Sequence, residues 1–236
     1  RIKHCQRILI LGVAAAICPL KVKSNTVWKE IPLVLLSVLL LFFMVNDAML
    51  DGMNFNTLSR IDGISLLAFF VVFMYYSFGI AKNTNDAEGE KVDELSNLKS
   101  TIFIILGMLG LALGGQWIVE GAIMIAKNFG LTETLIGLTV VAIGTSLPEL
   151  ATSIVAARKG HADIAVGNVV GSNLFNVFWI LGLSSTINPL NFNAALSNVD
   201  VIVSILAALL LFVFMFIGKK HILQRSQGYL FILIYF

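Results

Sequence analysis

Apolar residues in this chain do not alternate with polar ones as in a half-buried strand. They form long runs with few charges, at 31–45, 61–80, 101–126, 131–157, 164–187 and 199–217. Crossing a hydrocarbon core about 30 Å thick takes about 20 apolar residues of helix, so these runs read as membrane spans. Shorter apolar pieces lie at 8–18 and 228–236. In lipid a spanning segment must satisfy its own backbone, and runs of this length predict an all-α polytopic membrane protein. Composition agrees: 58% of residues are hydrophobic and 13% charged, against roughly 45–50% and 25% in soluble domains.

Charge adds orientation. The net charge of +2 is too small to point to nucleic acid, and the two cysteines, Cys5 and Cys18, imply no disulfide framework. Lysines and arginines gather in alternate loops. Lys21, Lys23 and Lys29, then Lys82, Lys91 and Lys99, then Arg158 and Lys159, then Lys219, Lys220 and Arg225 fall on one expected side. Arg60 and Lys127 fall on the other. The positive-inside rule makes the first side cytoplasmic. The hydrophilic stretch 82–100 is then a cytoplasmic linker, and the expected location is the plasma (inner) membrane of a bacterium.

An internal repeat organises the chain. "ILILGVAAAICPLKV" starting at Ile8 lies over "FWILGLSSTINPLNF" starting at Phe178, pairing Gly12 with Gly182 and Pro19 with Pro189, a shift of 170 residues. "LSRIDG" ending at Gly63 matches "LQRSQG" ending at Gly228, a shift five shorter. Five spans per unit is an odd number, so the two copies are expected to lie in opposite senses across the membrane. The domains read as 1–81, the remainder of a first repeat, 82–100, a linker, and 101–236, a second repeat. Inverted repeats of this kind place a substrate site near the midplane, on interrupted helices.

The candidate chemistry lies in "AIGTSLPELATS", 142–153, and "GNVVGSNLFN", 167–176. A charged carboxylate in mid-helix costs roughly 2.5–3.5 kcal/mol on insertion scales, so it is expected to face a partner or a water-filled cavity. Glu149 falls near the middle of the run 131–157, directly after Pro148, which removes a helical donor and opens the turn. Thr145 and Glu149 share a helix face with Ser146 beside them, and Ser172 and Asn176 are again four apart. These are hard oxygen donors without thiolate or imidazole, a set suited to calcium, magnesium or sodium. Thr152 and Ser153 are expected to bond back to their own backbone. Glu120, nearer a helix end, is expected to be structural.

The stretch 137–182 resembles the second signature repeat of the sodium/calcium exchanger family, carried by GTSLPE and GNxxGSN. The resemblance implies ten helices in two inverted halves and exchange of calcium for sodium or protons by alternating access. It also implies ion ligation by Thr145, Ser146, Glu149, Ser172 and Asn176, with the carbonyl of Ala142. Some relatives have Asp where this chain has Asn176, which leaves ion choice and stoichiometry open. Neither an enzymatic activity nor a cofactor is expected; the implied partners are the bilayer and the transported calcium and sodium ions, and the expected oligomeric state is a monomer. The repeat further predicts about 70 residues ahead of Gly12, holding a partner for Glu149. The opening RIKHCQR, which should align with GSNLFNV, can be encoded so that a one-base shift reads GSNIVN, so a truncated, frame-shifted start is expected. A channel-like or scaffold protein, or a non-functional fragment, stands as the alternative reading.

Overall fold

The computed structural model describes residues 2–50, 52, 55–83, 96–132, 136, 144 and 146–235. Helix α1 (Ile2–Ile17) leads through strand β1 (Leu20–Lys21) to a π-helical turn, Thr26–Glu30, which runs directly into α2 (Ile31–Met44). A short α3 (Asp47–Leu50) and strand β2 (Thr57–Leu58) precede α4 (Arg60–Asn83) and α5 (Asn97–Asn128). Next come α6 (Leu147–Arg158), α7 (Ala162–Leu174), a π-helical stretch Phe175–Leu181 and α8 (Gly182–Ile187). Strand β3 (Leu190–Asn191), α9 (Ala194–Phe214), β4 (Ile222–Leu223) and α10 (Arg225–Tyr235) complete the described chain. Thr26–Met44, Arg60–Gly79, Asn97–Asn128 and Ala162–Ile187 are each long and apolar enough to cross a bilayer. The protein is an all-α polytopic membrane protein.

One expected span is corrected. The run 131–157 does not hold Glu149 in mid-helix: Ser146 is in a turn and a fresh helix starts at Leu147. Pro148 sits in the first turn of α6, where backbone N–H groups have no helical acceptor and its missing donor costs nothing. Glu149 is in that same first turn.

Two compact units divide the chain, one made of Arg1–Phe70 with Glu149–Phe236, the other of Val71–Pro148. In the larger unit α1 packs along α10, and Gly12 faces Gly228 so closely that a Cβ on Gly228 would lie 2.8 Å from the Gly12 carbonyl oxygen. Likewise a Cβ on Gly63 of α4 would lie 2.7 Å from the Gly182 carbonyl oxygen of α8. Strand β1 pairs antiparallel with β4, Leu20 against Leu223 and Lys21 against Ile222. Strand β2 pairs the same way with β3, Thr57 against Asn191 and Leu58 against Leu190.

These contacts are copies of one another. The shift that carries Gly12 to Gly182 carries Leu20 to Leu190, and the shift that carries Gly63 to Gly228 carries Leu58 to Leu223. Exchanging the repeats turns the first glycine crossing into the second and the first ribbon into the second, register included. The loops obey the same exchange. Val22 N–H donates to the His221 carbonyl at 2.8 Å, and Phe192 N–H donates to the Asn56 carbonyl at 2.9 Å. The N–H of Gln224 donates to Gln227 Oε1 at 2.8 Å, as that of Ser59 does to Asp62 Oδ2 at 2.9 Å. One contact keeps its place and changes its chemistry: Trp28 against Phe216, ring centroids 5.1 Å apart, corresponds to a reciprocal amide pair between Asn198 and Asn46 at 2.7 and 3.0 Å.

In the smaller unit α5 is mostly apolar, and of its residues only Ala126 is buried. Glu120 is exposed on it and accepts a hydrogen bond from Gln116 at 2.8 Å, one turn away.

The glycine crossing gives a test. At Gly63 the space is filled by backbone and by Ser185 and Thr186, so Gly63→Ala should cost about 1–3 kcal/mol through overpacking. Gly79 lies on the same helix, and a Cβ added there would have nothing within 4 Å. Gly79→Ala should therefore leave the melting temperature in detergent unchanged or raise it. Equal melting temperatures for the two variants would contradict the crossing.

Candidate ion-binding site

Helix α6 begins at the Ser146 turn and buries Ser153, Ala156 and Ala157. Helix α7 offers buried Ala165 to that face, and small residues on both sides allow close approach. Asn168 ties the two together. Its Nδ2 donates toward the backbone carbonyl of Glu149 at 3.3 Å and toward Ser153 Oγ at 3.3 Å. Ser153 Oγ in turn lies 3.5 Å from the Ala165 carbonyl oxygen. The expectation that Ser153 bonds its own helix is therefore corrected: being fully buried against α7, it finds its partners there.

This tie fixes the turn that carries the Glu149 carboxylate. Glu149 is half-buried, and its Oε2 is enclosed with no hydrogen-bond partner among the described residues. An enclosed carboxylate oxygen in that condition is a candidate to face a ligand. Ser172, one turn beyond Asn168 on α7, is half-buried, and its hydroxyl donates to the Val169 carbonyl at 3.1 Å. That bond uses its proton and leaves its oxygen lone pairs for a ligand. Asn176 is the second residue of the π-helical stretch and its side chain is exposed. π-Helical insertions widen the turn and recur at functional sites. Ser146 is half-buried in the turn before α6, while Ala142 and Thr145 lie outside the described residues. Among the described residues no group of three or more His, Cys, Asp or Glu comes together.

The structure thus sets Asn168, Ser172 and Asn176 at four-residue intervals, with the Glu149 turn fastened to the first of them. Asn168 was missed by sequence reasoning although it stands inside GNVVGSN; its spacing from Ser172 was the available signal. Asn173, by contrast, is buried in the bundle.

Residues 99–236 match the sequence profile of the family described as sodium/calcium exchanger protein. The chain is 34% identical over 229 residues to CaxA of Alkalimonas amylolytica, covering 94% of this chain and 69% of that one. It is 37% identical over 194 residues to the inner membrane protein YrbG of Escherichia coli, covering 77% and 56%. A solved structure of the sodium-calcium exchanger NCX_Mj superposes with a TM-score of 0.78 at 31% identity, covering 99% of this chain and 71% of that one. The chain belongs to the sodium/calcium exchanger family. As a member of it, the protein is a membrane transporter of the exchanger type, and the helix bundle described above is the exchanger fold.

Within this exchanger the Asn168 tie is testable. Asn168→Leu removes both hydrogen bonds and leaves the buried Ser153 hydroxyl short of a donor. Each such loss costs about 1–3 kcal/mol, so the purified protein should melt several degrees lower. A melting temperature equal to the parent's would show that the tie carries no weight.

Proposed function

We propose that this exchanger carries calcium in one direction against sodium or protons in the other, and that Glu149 is the charged ligand at the centre of its site. The observation that supports this most directly is the enclosed Glu149 Oε2 without a hydrogen-bond donor among the described residues. In this reading Glu149 coordinates calcium in one state and is neutralised by sodium or a proton in the other. Ser172 and Asn176 add a hydroxyl and an amide, and Thr145, Ser146 and the Ala142 carbonyl add further oxygens to the set. Calcium takes six to eight oxygens at flexible geometry, and this mixture of one carboxylate with neutral donors suits an ion that must also leave. Spans then rock about the site to open it to one face at a time, and the chain works as a monomer.

Vesicle flux separates this reading from a channel. Glu149→Gln should abolish counter-ion-dependent calcium uptake, a loss of at least 100-fold if about 3 kcal/mol of charge-assisted ligation is removed, while membrane insertion stays intact. Uptake by the variant at the parent's rate would overturn the assignment.

The proposed orientation is supported by the ribbons, which flank the span Thr26–Met44 in the chain. The β1–β4 ribbon draws together the segments bearing Lys21, Lys23, Lys219, Lys220 and Arg225, and Lys23 pairs with Asp163 at the start of α7. The β2–β3 ribbon has Arg60 beside it. This clustering supports a cytoplasmic β1–β4 end in the inner membrane, and the alternation of basic loops along the sequence assigns the 82–100 linker to the cytoplasm as well. In intact cells Lys220→Cys should resist an impermeant maleimide and Arg60→Cys should react; the reverse pattern would invert the topology.

A further inference from the structure

Within the larger unit, the first part of α4 lies against the helical stretch that follows α7. Near the start of α4, Gly63 crosses Gly182, where an added Cβ would meet Leu66 and Leu67 at 3.2 Å. Farther along, two consecutive phenylalanines reach the π-helical stretch Phe175–Leu181. Phe69 stacks on the fully buried Phe178, with ring centroids 5.7 Å and planes 18° apart. Phe70 lies edge-on to Phe175 at 5.7 Å and tilted against Trp179 at 5.1 Å. Phe175 and Trp179 are themselves 6.2 Å apart, so Phe70 closes a cluster of three rings. Asn176 directly follows Phe175 and its side chain is exposed.

We propose that Phe70 is a positioning residue for the ion site: its ring holds the π-helical stretch in place and so fixes where Asn176 stands relative to Ser172. The inference rests on the reading of Asn176 as an ion ligand. π-Helical turns are rare in proteins, so a neighbour that fits the widened turn decides whether it persists. An α-helical turn closes in fewer residues, and relaxing 175–181 to regular α-helix would rotate α7 against α8. The Gly63–Gly182 crossing holds α8 to α4, so that rotation would fall on the end bearing Ser172 and Asn176. Aromatic pairs favour edge-on and offset arrangements. Phe70 makes such contacts with the ring just before Asn176 and with the ring three residues after it, which ties both flanks of the ligand to one point on α4.

Equilibrium binding of radiolabelled calcium to the purified exchanger tests this without relying on transport. Phe70→Ala should raise the half-saturating calcium concentration at least fivefold. Phe70→Leu keeps the bulk and loses the ring; it should raise that concentration at least twofold, which keeps the test decisive if the alanine variant does not fold. Phe70→Tyr retains the ring and should stay within twofold of the parent. A role in packing alone is separated in two ways. Phe231→Leu breaks the Phe214–Phe231 stack between α9 and α10, centroids 5.2 Å apart, and should lower the melting temperature while leaving calcium affinity unchanged. In an Asn176→Ala background the Phe70 substitutions should weaken binding no further, because residues that act through one another are not additive. Unchanged affinity in the Phe70 variants would overturn the proposal, as would factors that multiply in the double variant or an equal loss of affinity in Phe231→Leu. Any of these results alongside weakened binding by Asn176→Ala alone overturns the positioning role and leaves the ligand reading standing. Unchanged affinity in Asn176→Ala itself overturns both.

Discussion

Two helix crossings in the larger unit are close enough to exclude side chains, Gly12 on Gly228 and Gly63 on Gly182. In lipid there is no hydrophobic gain from bringing one apolar helix to another, so association rests on van der Waals contact and interhelical hydrogen bonds. Glycine gives the first of these its shortest range. Because each crossing joins one repeat to the other, the two repeats are held as a pair with their roles exchanged, and the ribbons and loop hydrogen bonds beside them follow in register. The Trp28–Phe216 contact and the Asn46–Asn198 pair show that this exchange preserves where the helices meet while leaving the chemistry of each meeting free to differ.

The turn at Glu149 is held by a different contact. Glu149 stands at the first turn of α6, with its backbone carbonyl held by Asn168 of α7 and its Oε2 without a donor among the described residues. A similar division runs along α7. One face carries Asn168 and Ser172, a series that Asn176 continues just beyond the helix, and the other buries Val166, Val169, Val170 and Asn173 in the bundle. The π-helical stretch that starts at Phe175 falls where the polar series ends, with Asn176 exposed on it.

How far the sequence alone reached is clearest at single residues. The spans were legible because lipid demands long apolar helices, and the repeat was legible because Gly12 and Gly182, or Gly63 and Gly228, keep the same neighbours in the chain. GTSLPE and GNxxGSN made the family legible for the same reason: its signature is written in contiguous residues. Other features belong to tertiary structure. That Gly12 touches Gly228 and not Gly182 depends on which helices meet. The placement of Glu149 at a helix start depends on where the chain turns, and a hydropathy run of 27 residues, 131–157, cannot show a break inside itself. Ser153 bonds across to α7, and Asn168 fastens the Glu149 turn. Each of these joins residues that are 12 or 19 positions apart in sequence, and only packing, which sets side-chain distances to within an ångström, decides such pairs.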